Sequence, residues 1–191
     1  MSTQIRPALT IFLLLTLFTG GIYPLVVTGI GKTLFANQAS GSLILKDGKV
    51  IGSKLIGQNF AEPRYFWGRP SATGPMPYNP LASSGSNQGP LNPALIDAVK
   101  SRIEALRTAD PGNAAAVPID LVTASGSGLD PDISVAAANY QVARIARVRG
   151  LQPGQVSTVV AKHAEGRFLG LFGEPRVNVL ELNIALDGVA R

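Results

Sequence analysis

Leu9-Thr10-Ile11-Phe12-Leu13-Leu14-Leu15-Thr16-Leu17-Phe18 is the centre of an uncharged run from Pro7 to Gly31, bounded by Arg6 and Lys32. At about 1.5 Å per residue a helix of that length covers about 37 Å, more than the ~30 Å hydrocarbon core of a bilayer. The run therefore predicts one transmembrane helix. A cleaved signal peptide fits less well, because its apolar region is about 7–15 residues long and ends at a small-x-small site. Leu34-Phe35-Ala36 and Asn37-Gln38-Ala39 both put the wrong residue at the third position before a cut. Gly20, Gly21 and Pro24 interrupt the span. Such residues persist in lipid where a neighbouring helix or a local adjustment satisfies the freed carbonyl, so these three mark an expected packing face for a partner helix. Gly31-Lys32-Thr33 mimics the end of a phosphate-binding loop, but that pattern needs glycine where Val26 stands, and it follows a strand rather than closing a span. Arg6 and the α-amino group favour a cytoplasmic N-terminus, residues 1–6, with residues 7–31 in the membrane and 32–191 extracytoplasmic.

Composition agrees with a lipid-embedded segment: 15% charged and 46% hydrophobic residues, with mean hydropathy +0.22, depart from soluble averages. With 191 residues, there is room for one further domain, residues 32–191. The absence of cysteine excludes disulfides, thiolate metal sites and a cysteine nucleophile, and a single histidine removes most imidazole-based metal chemistry. The net charge of +5 comes from scattered Lys and Arg that form no basic stripe, so no nucleic-acid partner is expected.

Ser42 to Ile51 reads as a β-hairpin, with Asp47-Gly48 supplying positive φ at the turn. From Pro63 to Pro93 the chain holds seven of its fourteen prolines and the aromatics Tyr65, Phe66, Trp67 and Tyr78. Those aromatics predict an ordered loop pinned to a core rather than a disordered linker. Asn92 as cap, Pro93 at the first helical position and Leu95, Ile96, Val99, Ile103 and Leu106 on one face predict a helix that stops at Asp110-Pro111-Gly112. Pro118 to Thr123 is expected to be a strand, followed by a small-residue loop, Ala124 to Gly128. A second helix is expected from Ser134 to Arg149, ended by Gly150, its closing arginines complementing the helix dipole, and a third near Pro153. A last strand is expected from Arg176 to Leu186, with a bulge near Leu180 or both faces buried. The expected class is α+β, a small sheet with about three helices.

Little in this body promises catalysis. His163 lacks the Gly-x-Ser-x-Gly elbow that would expose a serine nucleophile, so an anchored hydrolase using His163 is only an alternative reading. Ser125, Gly126, Ser127 and Gly128 offer backbone N–H groups and hydroxyls to an anion or ribose, but the Asp130-Pro131 that follows makes a plain turn the simpler account.

Five runs in this order, Tyr65 to Ala72, Ser84 to Pro93, Asp120 to Pro131, His163 to Arg167 and Gly173 to Asn183, behind one N-terminal apolar helix, resemble the KdpC family, the small subunit of Kdp potassium-transporting P-type ATPases. The likeness covers essentially the whole chain. Asp132 stands where the family pattern often has His, and Ala164 where Thr is common. The resemblance implies a single-pass subunit in a bacterial inner membrane, beside a pump subunit that hydrolyses ATP, a potassium-channel-like subunit and a small single-span subunit. It implies a non-catalytic role in assembly and as a catalytic chaperone that raises the pump's ATP affinity through a transient ternary complex. No bound cofactor is expected, with ATP itself a visitor to that complex, and residues 125–128 are its weak nucleotide candidate. The 63–93 loop, rigidified by proline and rich in anchors, is the expected docking surface for the channel-like subunit, through Tyr65, Phe66, Trp67, Arg69, Tyr78, Asn79, Asn87 and Asn92.

Overall fold

The structure is a computed structural model and describes residues 2–189. It divides into two compact units, residues 1–43 and 44–191.

In the first unit, helix α1 (Ser2–Leu17), a π-helical turn (Phe18–Ile22) and α2 (Tyr23–Leu34) follow one another without a break. Thr3–Leu34 is long and apolar enough to cross a membrane. The helix thus extends beyond both ends of the uncharged run. The interruption expected at Gly20, Gly21 and Pro24 takes the form of the π turn. Pro24 has no N–H to give to the carbonyl four residues back, and its ring would crowd that carbonyl. Widening the preceding turn relieves the conflict, and Tyr23 N–H bonds Phe18 O, five residues back. Thr19 Oγ1 donates to Leu15 O at 2.7 Å and Thr33 Oγ1 to Gly29 O at 2.9 Å, so both hydroxyls are satisfied within the helix, as a lipid environment demands. A short helix α3 (Ala36–Ala39) follows.

The second unit is α+β. Strands β1 (Leu43–Lys46) and β2 (Lys49–Ser53) form the expected hairpin, with Asp47 at φ 51° and Gly48 at φ 74° in its turn. Helix α4 (Pro93–Ala109) begins at Asn92, whose side chain accepts from Ala94 N–H. Strand β3 (Asp132–Ser134) leads into α5 (Val135–Arg149), capped by Ser134 and closed by Gly150 at φ 67°. Helix α6 (Pro153–His163), strand β4 (Ala164–Glu165), strand β5 (Arg176–Asn178) and helix α7 (Val179–Asp187) complete the chain. β5 is the middle strand of an antiparallel sheet ordered β3-β5-β4, with Ile133 opposite Val177 and Ala164 also opposite Val177. Ile133, Val177, Ile145, Val156, Val160, Leu182 and Leu186 form the centre of the core beneath it.

Two sequence expectations need correction. Pro118 to Thr123 is a 3₁₀ turn at Ile119–Leu121, not a strand. Leu121 and Val122 are buried side by side while Ile119 is exposed, which no alternating strand allows, and Thr123 Oγ1 closes the turn on Ile119 O at 2.8 Å. Asp120 in that turn accepts from Ser134 N–H at 2.7 Å and so ties it to the start of α5. The final segment is likewise not one strand: it leaves the sheet at Asn178, whose side chain accepts from Glu181 N–H at 3.1 Å and opens α7. The apparent change of phase at Leu180 is the change from a two-residue to a helical period, since Val179, Leu182 and Leu186 recur on one buried helical face. Among the described residues the second unit therefore has four helices longer than two turns, against about three expected.

Candidate functional site

Residues 63–93 contain little regular structure apart from a 3₁₀ turn at Pro80–Ala82, so their backbone polar groups need other partners. For the inner half, α5 and α7 supply them. Asn183 Oδ1 accepts from Phe66 N–H at 2.8 Å and its Nδ2 donates to Phe66 O at 3.0 Å. Gln141 does the same for Trp67, accepting from its N–H at 2.8 Å and donating to its O at 3.1 Å. Two amide side chains thus take the place of neighbouring strands. Arg144 donates to Pro63 O, to Tyr65 O at 3.1 Å and to Gln141 Oε1 at 2.6 Å, and lies over the Trp67 ring, 4.6 Å from its centroid. Burial pushes the Arg144 guanidinium down to about 10, and it remains a cation at neutral pH.

Phe66 is fully buried in the core, and so offers no surface to a partner. Trp67 is half-buried against the core, its Nε1 donating to Glu62 O at 3.0 Å, and Tyr65 OH reaches Asp187 at 3.3 Å. Arg69 pairs with Asp130 at 3.0 Å. Tyr78 OH donates to Arg69 O at 2.5 Å, and Asn79 is buried, donating to Gly74 O and accepting from Leu81 N–H. Asn87 and Asn92 are exposed. The outward half of the loop also presents Leu81 and Leu91, 95% and 91% exposed, which the sequence reading did not single out. Nothing in the sequence marks them except their place between prolines, glycines and asparagines.

The small-residue loop is joined to this segment rather than open to it. Ser127 O accepts from Ser84 N–H and from Ser83 Oγ, both at 3.0 Å, Gly128 O accepts from Ser71 Oγ at 2.7 Å, and Ser125 N–H donates to Pro70 O at 3.3 Å. Ser125 is buried, and Ser127 Oγ accepts from Leu129 N–H at 3.1 Å. A cleft of about 370 Å³ lies between the loop and α4, lined by Phe60, Trp67, Arg69, Tyr78, Arg102 and Leu121 among others. A second depression, also bordered by Arg69, gathers Asp120, Asp130 and Asp132. Its acids are engaged: Asp130 by Arg69, Asp132 by Arg176 at 3.0 Å, and Asp120 by Ser134 N–H. Burial raises the Asp132 carboxyl above its ordinary value, against the pull of Arg176. His163 Nδ1 lies 2.9 Å from Val159 O, a helix-end contact that occupies one ring nitrogen. In the first unit a Cβ at Gly20 would meet open space, and one at Gly21 only Leu17 Cδ1 at 3.7 Å.

Tyr78 gives the loop a measurable pH dependence. Burial pushes its phenol up to about 12, with Asp130 acting in the same direction and Arg69 against it. The folded value lies above the unfolded one near 10.0, so this contribution to stability is complete below pH about 10 and is lost as pH rises towards 12. Tyr78→Phe is expected to lower stability at neutral pH by about 1 kcal/mol and to make the loss between pH 10 and 12 shallower than in the unaltered chain. Denaturant titrations of both proteins across that range make the comparison, and parallel curves would contradict it.

The family model described as KdpC, K+-transporting ATPase, c chain, matches residues 5–188. A potassium-transporting ATPase KdpC subunit from Variovorax paradoxus (strain S110) is 66% identical over 190 residues, covering 100% of this chain and 98% of the relative. The subunit of the same name from Dechloromonas aromatica (strain RCB) is 65% identical over 191 residues, covering 100% of both chains. That from Polaromonas naphthalenivorans (strain CJ2) is 67% identical over 189 residues, 99% of this chain and 96% of the relative.

Proposed function

From the chain's membership of the KdpC family, an accessory rather than catalytic subunit of the K+-transporting ATPase and so a component of a potassium uptake complex, we propose a specific division of labour. The apolar helix anchors the chain in a bacterial inner membrane with residues 1–6 cytoplasmic. Gly20, Gly21 and Pro24 form its contact with a partner helix, the first two offering a surface without side chains. The body lies outside the cytoplasm, and the outward half of the 63–93 loop docks on the potassium-channel-like subunit. The pump subunit and the small single-span subunit complete the assembly. By favouring one conformation of the assembled complex, the chain raises the pump subunit's affinity for ATP, acting as a catalytic chaperone through coupling rather than by direct contact with nucleotide. Residues 125–128 support coupling over direct binding, because Ser125 N–H and the Ser127 and Gly128 carbonyls already serve the neighbouring loop, while the Ser127 hydroxyl accepts from Leu129 N–H within its own.

The observation that carries the docking part is the division of the loop into a half clamped by buried side chains and a half that presents two nearly fully exposed leucines. Rigid support with an exposed apolar tip is the pattern of a preorganised contact. The double variant Leu81→Asp/Leu91→Asp is expected to keep the thermal midpoint of the unaltered chain, since neither side chain packs, while co-purification with the other subunits falls at least tenfold. Normal recovery of the complex with normal potassium uptake would remove the loop from the interface.

A further inference from the structure

We propose that the turn joining β4 to β5 is a second membrane contact, in which Phe168, Leu169, Leu171 and Phe172 enter the lipid surface. The inference rests on reading Thr3–Leu34 as a membrane span. The four side chains are 71%, 75%, 76% and 63% exposed and adjoin one another in sequence, which makes them the densest apolar group on the surface of the second unit among the described residues. Scattered exposed hydrophobes need no explanation, but a contiguous group of this kind marks a surface that something covers.

Three features select lipid as the occupant. The first is the backbone. Phe168 N–H bonds Phe172 O at 2.8 Å, Gly170 N–H bonds Arg167 O at 3.0 Å, and Leu171 and Phe172 N–H both bond Phe168 O, at 3.1 and 3.0 Å. The tip thus satisfies most of its own donors, the condition a segment must meet where no water is available. The second is composition. From Phe168 to Phe172 no side chain carries a hydrogen-bonding group, whereas the residues that carry most of the energy at protein interfaces are Trp, Tyr and Arg, with Leu under-represented. Leu169 even occupies left-handed backbone, φ 53°, where turn chemistry would place Gly or Asn, yet the residue is large and apolar. The third is the neck. Arg167 Nη2 reaches both Glu174 oxygens at 2.9 Å, a neutralised pair at the depth where the apolar tip ends. The span holds this chain at a bilayer, and a bilayer is an apolar phase that such a tip can enter.

The charges at the base of the turn are paired internally, Glu165 with Lys54 and Arg176 as well as Arg167 with Glu174, so insertion is driven by apolar area and not by anionic headgroups. The chain has no cysteine, which permits single labels in the full-length protein. Leu169→Cys and Leu171→Cys at the tip, Leu14→Cys in α1 and Glu104→Cys on α4 are each spin-labelled and reconstituted in phosphatidylcholine vesicles, with and without phosphatidylglycerol. The tip labels are expected to collide several-fold more with oxygen than with a water-soluble nickel complex, as at position 14 and opposite to position 104, equally in both lipids. Tip labels that behave like position 104 while position 14 is in hydrocarbon would overturn the proposal and leave the span standing. An aqueous position 14 would overturn both. A tip shielded from both reagents once the complex is assembled would mean that a protein covers it, which also overturns the proposal.

Discussion

Arg144→Ala is expected to destabilise the body by about 3–5 kcal/mol, the sum of buried acceptors left without a donor and of a large side chain removed from a packed site. Arg144 is 2% exposed, its two Nη atoms serve Pro63 O, Tyr65 O and Gln141 Oε1, and its plane covers Trp67. The substitution strips two backbone carbonyls of their donor and empties a volume that the surrounding α5 and loop atoms cannot refill without moving. Trp67 is the only tryptophan, so its fluorescence reports both the global transition and any release of the loop beforehand. Arg144→Lys is expected to recover only part of the loss, because an ammonium has no planar fork to span two carbonyls and stack on an indole. A loss under about 1 kcal/mol for Arg144→Ala would mean that the amide clamps alone hold the loop.

The second large effect is a contrast between two neighbouring glycines. A Cβ at Gly128 would lie 2.6 Å from Ser84 O and 2.6 Å from Thr73 Cγ2, and the residue has φ 68°. Backbone cannot retreat as a side chain can, so Gly128→Ala combines a left-handed penalty of about 1–2 kcal/mol with separation of the two loops, and a total above about 3 kcal/mol is expected. Gly126 has open space around its Cβ position, and Gly126→Ala is expected to change stability by less than about 0.5 kcal/mol. Thermal unfolding of the two variants checks the stability half. The functional half is sharper: if residues 125–128 cradled a phosphate, Gly126→Ala would depress ATP affinity of the complex while leaving the fold intact. The coupling account expects no change.

Where local chemistry decides an element, the sequence was sufficient. Asp47-Gly48 made the hairpin, Asn92-Pro93 opened α4, and Ser134 and Gly150 bounded α5, each through a turn or cap whose cause lies within a few residues. The errors arose where two periods meet. Asn178 ends a three-residue strand and caps a helix in one step, and the spacing to Glu181, the signature of a helix start, was masked by a run of large apolar residues that also suits a strand. Strand β3 is too short to carry a period at all. In the site, the aromatics drew attention to the loop, but which face it turns inward depends on Gln141, Arg144 and Asn183, 74 to 117 residues away along the chain. The dipole account of the closing arginines was likewise incomplete. Arg147 pairs with Asp110 at 2.8 Å, and Arg149 with Asp187 at 2.8 Å and Arg64 O at 2.8 Å, so these side chains fasten α5 to its surroundings.

The side of the membrane on which the body lies decides between coupling and direct nucleotide contact, since ATP is available only in the cytoplasm. Ser157 is exposed on α6, away from the 63–93 loop in sequence, and the chain has no cysteine to compete with a label there. In spheroplasts expressing the whole complex, Ser157→Cys is treated with a membrane-impermeant maleimide before and after lysis. Labelling of intact spheroplasts to the same extent as lysed ones is the result predicted; labelling only after lysis would put the body beside the pump's nucleotide and contradict the account.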